Sequence, residues 1–185
     1  MVRLHGRACD YSVQAALRLP ASVHASPVFW GHAQLVHLGA TVMQNQIAAA
    51  LETGSLQRDF LDVRAASRAL AAPLSAEDAA LQSMPGASPA KWHLAHTTWF
   101  FEAFVLGRDP AYLPVNPRWH YLFNSYYQSV GPMHARPQRG MLSRPSLDEV
   151  LDYRARVDEA VLARIDNGID ADTHALITLG LQHEQ

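Results

Sequence analysis

Between Ser88 and Gly107 the chain reads SPAKWHLAHTTWFFEAFVLG, and apolar residues recur there at alternating three- and four-residue steps. Trp92, His96, Trp99 and Ala103 therefore share one helical face, with His93, Phe100 and Phe104 on the adjacent strip. The pattern predicts a buried helix, with Ser88 as N-cap, Pro89 at the first helical position and Gly107 in the left-handed turn that ends it. A histidine in the middle of such a face either satisfies a core hydrogen bond or binds something.

The same periodicity marks three further helices. From Arg58, RDFLDVRAASRALAAP places Phe60, Val63, Ser67 and Leu70 on one stripe and stops at Pro73. Ser75 with Asp78 caps a short helical piece, and Met84-Pro85-Gly86 breaks the chain after it. Ser146 and Glu149 form a capping box for a helix carrying Leu147, Val150, Arg154, Val157 and Val161 up to Asn167-Gly168. Asp170 or Asp172 caps the last, where Leu176, Leu179 and His183 follow helical spacing. Period-2 alternation persists nowhere, so the expected fold is all-α, a four-helix bundle over residues 58–185. Residues 1–57 read as an extension in which Val28 to Leu51 could form a helix, weakened by Gly31 and Gly39.

Between the second and third long helices, residues 108–145 hold Pro110, Pro114, Pro117, Pro132, Pro137 and Pro145 among many aromatic residues. A long ordered connection inside a compact domain points to function.

Composition narrows the class. With 185 residues, 49% hydrophobic and 17% charged, the chain can bury one sizeable core. A net charge of -2 gives no footprint for nucleic acid or an anionic membrane surface. Cys9 stands alone, which forbids an intrachain disulfide and suits a reducing cytoplasm. No run of 18 apolar residues exists, and Arg18 interrupts the apolar part of the start, so neither a membrane span nor a signal peptide is expected.

The candidate chemistry lies in His96 and His183, each central to an apolar stripe on a different helix. Neutral imidazole suits iron, zinc, copper or nickel, and bundles build metal sites from inward-facing side chains. A third histidine is not evident from the pattern. Arg136 and Arg139 could be a solvated loop pair or clamp the proline-rich connection. Glu102 and Glu184 could orient imidazoles or pair helices. Tyr126 and Tyr127 could line a pocket or pack in the core.

Three blocks, LSAEDAALQSMPGASPAKWHLAHTTWFFEAFVL, YLFNSYYQSVG and HARPQRGMLSRPSLDEVLDYRARVD, closely resemble the N-terminal DinB-like domain of the ergothioneine-type sulfoxide synthases, the EgtB family. The likeness spans about Arg58 to Gln185. It implies a non-haem iron(II) enzyme in which oxygen drives carbon–sulfur bond formation and sulfoxidation between hercynine and a thiol, cysteine or γ-glutamylcysteine. It also implies metal ligation by His96 and His183, and carboxylate binding by Arg136 and Arg139. The family's third iron-binding histidine would fall just beyond Gln185, and so would a C-terminal domain related to formylglycine-generating enzymes that completes the pocket. The expectation is thus the first half of an enzyme, inactive as a fragment. Two other classes stay open: a complete metal-dependent thiol transferase, needing a third histidine from His93, His120, His134 or His174, and a non-catalytic helical module.

Overall fold

The computed structural model describes residues 28–125 and 131–185. The chain forms two compact units, Met1–Met43 and Gln44–Gln185. In the first, the described residues are helical. The second is the bundle, and among its described residues there is no strand.

Helix α1 runs over Val28–Ala71, α2 over Ala76–Ala80, α3 over Ala90–Phe104, α4 over Trp119–Phe123, α5 over Leu147–Asp166 and α6 over Ala171–Glu184. The stretch before Arg58 and the stretch after it form one helix, because no proline intervenes. Gly54 weakens a helix by about 1 kcal/mol without breaking it. Both capping boxes form, Ser75 with Asp78 and Ser146 with Glu149, and it is Asp170 that caps α6 by accepting the Thr173 N–H, while Asp172 lies in its first turn. Gly168, at φ 87°, closes α5.

The ends of α3 differ from expectation. Pro89 occupies the cap position, and the Ser88 hydroxyl instead accepts a hydrogen bond from Arg139 Nη1 at 2.9 Å. At the other end Val105 stays in the right-handed region and the chain tightens into a 3₁₀ turn over Leu106–Arg108, so Gly107 supplies no left-handed stop.

Helix α3 packs against α2, α4, α5 and α6, and it is buried almost all round. Phe60 of α1 meets Phe101 edge to face at 5.1 Å, and α5 turns Val150, Tyr153, Val157, Val161 and Ile165 inward. Each such apolar side chain contributes about 1.5–3 kcal/mol on burial. Two stripe positions were misassigned: Leu70 is 83% exposed and Leu179 is 52% exposed. The buried face of α1 is Leu56, Phe60, Val63 and Arg64, and that of α6 is Thr173, Ile177, Gly180 and Leu181. Gly180 is required there, since a Cβ would stand 2.6–2.8 Å from ring atoms of Phe100 and Phe101.

The connection from α3 to α5 is anchored by Glu102. Its carboxylate accepts from the Tyr112 hydroxyl at 3.1 Å, the Val115 amide at 2.8 Å and the Tyr153 hydroxyl at 2.5 Å. Burial, reinforced by that carboxylate, pushes both tyrosine hydroxyls above their ordinary pKa, so they remain donors. Glu102 thus ties down the connection and joins α3 to α5 through Tyr153, the helix-pairing alternative that the sequence leaves open. A second tie comes from Gln82, which donates to the carbonyls of Ala87 and Arg136, each at 2.8 Å.

Replacing Glu102 by Leu leaves two tyrosine hydroxyls and a backbone amide without an acceptor, and should lower stability by about 2–4 kcal/mol in urea unfolding. Glu102→Gln, which keeps an acceptor oxygen, should lose clearly less. A Leu variant within about 0.5 kcal/mol of the parent would show that the connection is anchored elsewhere.

Candidate metal centre

His96 comes from the middle of α3 and is 6% exposed. Its Nδ1 lies 2.6 Å from the Phe123 carbonyl at the end of α4. A carbonyl can only accept, so Nδ1 carries the hydrogen and Nε2 of the neutral ring carries the lone pair, as a metal ligand requires. The ring is also held by stacking. Trp92 lies nearly parallel to it, with centroids 4.6 Å apart and planes 17° apart. The Arg139 guanidinium sits 3.4 Å from the centre of the Trp92 ring.

His183, near the C-terminal end of α6, meets His96 edge to face with ring centroids 5.0 Å apart. With a metal–nitrogen bond of about 2.1 Å and ring centres roughly 1.1 Å further on, two imidazoles on one ion at 90–110° have centroids about 4.5–5.2 Å apart. The pair fits that spacing. Among the described residues, however, no group of three or more histidine, cysteine, aspartate or glutamate side chains is arranged to hold a metal. Two ligands make a weak site.

The four residues singled out from the sequence, His96, His183, Arg136 and Arg139, all line one cavity of about 750 Å³. The two arginines differ in commitment. Arg139 is 2% exposed, with Nη1 on Ser88 and Nη2 on the Ser125 hydroxyl at 3.1 Å. Arg136 is half-buried, with Nη1 3.4 Å from the Gly86 carbonyl. The structural-clamp reading therefore describes much of what Arg139 does, while its place in the cavity wall keeps it beside any ligand.

Of the four histidines considered as further ligands, only His93 lines this cavity. His120 Nδ1 accepts from Trp99 Nε1 at 3.2 Å, His134 Nε2 lies 3.1 Å from the Gln138 carbonyl, and His174 borders a separate cleft between α1 and α6. Tyr126 and Tyr127 lie outside the described residues.

Pattern reasoning missed what sits behind the cavity. Arg64 and Arg154 are 2% and 1% exposed, and both bind Glu184. Glu184 therefore pairs α6 with α1 and α5 through these arginines, the helix-pairing alternative that the sequence leaves open. Burial raises its pKa, but Arg64 and Arg154 outweigh burial and hold the carboxyl below its ordinary range. The available signal was Arg154 on an otherwise apolar stripe: a buried arginine must find a carboxylate.

Burial is the main reason that all three cavity histidines have lowered pKa values; for His96, the Phe123 carbonyl opposes the shift while His183 and Arg139 add to it. His96 is brought down to about 4.

A helical bundle with imidazoles from two helices meeting in one cavity defines the class: an all-α domain with a cavity between its helices. The sequence pattern of the DinB superfamily matches residues 59–183, and the chain belongs to that superfamily. No curated protein matches it closely enough to count as a relative. Among the described residues no helix is long and apolar enough to cross a membrane.

The His96 shift makes a pH prediction. The unfolded chain takes up that proton near 6.5 and the folded chain only near 4, so metal-free protein should lose stability as pH falls through this window, by up to roughly 3 kcal/mol. His96→Phe should flatten this part of the profile in urea unfolding at pH 7, 6, 5 and 4.5. Parallel profiles for parent and variant would refute it.

Proposed function

We propose that this chain is the metal-binding domain of a cytoplasmic, oxygen-dependent non-haem iron(II) sulfoxide synthase that joins hercynine to cysteine or γ-glutamylcysteine. The observation that carries the reading is the meeting of His96 and His183 in a cavity whose wall also holds Arg136 and Arg139. DinB superfamily membership supports a metal role, and the resemblance of HLAH, HARPQRG and the final HE to the synthase motifs supports the narrower assignment. Iron(II), when bound, would supply positions at which thiol, hercynine and oxygen come together.

The chain's own residues then have distinct tasks. His96 and His183 present neutral nitrogens. Arg136 and Arg139 receive substrate carboxylates, as guanidinium forks do, and so orient the thiol. Arg139 is fixed in advance by Ser88, Ser125 and Trp92, which reduces the ordering that ligand binding must impose. In this reading the third imidazole and the domain that completes the pocket come from the remainder of the enzyme.

A second reading, a metal-dependent thiol transferase, is favoured by one observation, the presence of His93 in the same wall. Metal analysis separates the two. Protein purified without chelator should bind iron(II) weakly, lose at least tenfold in affinity on His96→Ala or His183→Ala, and be indifferent to His93→Ala. A His93→Ala loss as large as the other two favours the transferase. Equimolar iron retained by both other variants overturns the assignment, and so does sulfoxide product formed by this chain alone.

A further inference from the structure

In and behind the cavity wall four charged side chains form a chain, with Asp158 at its partly exposed end. Asp158 accepts from Arg64 Nε at 2.7 Å, Arg64 Nη1 donates to Glu184 at 2.7 Å, and Glu184 accepts from Arg154 Nη2. The side chains of Glu184 and Arg154 are each 1% exposed, that of Arg64 is 3% exposed and that of Asp158 is 19% exposed. The cations come from α1 and α5, and the shared carboxylate from the last turn of α6.

The network also grips α3. Arg64 Nη2 donates to Thr98 Oγ1 at 2.8 Å, and Arg154 Nη1 lies 3.3 Å from Thr97 Oγ1. Arg154 Nη2 further donates to the Arg64 carbonyl at 3.1 Å. Its points of attachment are therefore the residues next in sequence to each candidate ligand, Thr97 and Thr98 after His96, and Glu184 after His183.

Burying three charges is a poor way to gain stability, since apolar side chains of the same volume do as well; what buried charge pairs supply in attested cases is a unique register. Close packing at Gly180 fixes the middle of α6, while the turn that carries His183 directs only Leu181 and Glu184 inward. Successive helical residues project about 100° apart, so pinning Glu184 between two guanidinium groups also sets the direction of His183.

We infer that Arg64 and Arg154 are positioning residues for the histidine pair, which they align by clamping Glu184 on α6 and the two threonines that follow His96 on α3. The inference rests on the proposed metal role of His96 and His183, and its test keeps the two separable. Removing one member alone strands a buried charge, so the main variant removes a matched pair: Arg154→Met with Glu184→Leu, which leaves Arg64 with Asp158.

Cobalt(II) is the probe, followed by its visible absorption, alongside thermal unfolding and amide hydrogen exchange of residues 181–185 in metal-free protein. The double variant should melt within about 5 °C of the parent. It should bind cobalt(II) at least tenfold more weakly and exchange those amides at least tenfold faster. Parent-like affinity and exchange in a folded double variant overturn the inference, because the network would then serve stability alone. Should the double variant not fold, Arg154→Lys, which keeps the charge but loses the fork, is judged by the same two criteria. If the parent itself binds no cobalt(II), the metal reading fails, and unchanged exchange at 181–185 decides against the clamp independently.

Discussion

Helix α3 has water on almost none of its sides, yet it carries His96, Thr97, Thr98 and Glu102 within seven residues. A polar atom in such a position must be hydrogen-bonded or the helix loses several kcal/mol, so each of these side chains dictates the placement of something else. His96 requires the Phe123 carbonyl and thereby places α4. Thr98 bonds the Leu94 carbonyl and receives Arg64 from α1. Glu102 gathers Tyr112, Val115 and Tyr153. The bundle is organised by the partners that this one helix demands, with apolar packing filling the space between them.

That dependence also explains which features are legible from the amino-acid order. The capping boxes at Ser75 and Ser146 and the Gly168 stop form as read, because their partners lie within four residues. Ser88 looks like a cap by the same local rule, but its hydroxyl is taken by Arg139, fifty-one residues away. Leu70 and Leu179 fit a stripe by spacing and face solvent, whereas the positions that go inward include an arginine and a glycine, Arg64 and Gly180, which apolar patterning does not score. The convergence of His96, His183, Arg136 and Arg139 on one cavity was anticipated from motif resemblance and helical spacing together. The buried Arg64–Glu184–Arg154 arrangement was not, because adjacency of Glu184 to His183 suggests a shared task while helical geometry sends neighbours in different directions.

His96 is held in a chemically specific way. Two features act on His96 in the same sense: the Phe123 carbonyl fixes the hydrogen on Nδ1, and burial disfavours the imidazolium. Stacking against Trp92 restricts rotation of the ring. A ligand nitrogen that is neutral, of known tautomer and rotationally fixed loses little on coordination, which matters most where few ligands are present.

The arginines impose a further condition on whatever binds there. The field of Arg139 already reaches the imidazoles, adding to burial in lowering the pKa of His93 and His96. The same field would oppose a metal cation in the cavity. Neutral histidines offer no compensating charge, and Glu184, the carboxylate in the wall, is already neutralised by Arg64 and Arg154. An anionic ligand between metal and arginines would cancel that repulsion, so each would raise the affinity of the other by the same factor. On the proposed metal reading, a cavity built from neutral imidazoles and guanidinium groups would favour a metal and a carboxylate bound together over either one alone.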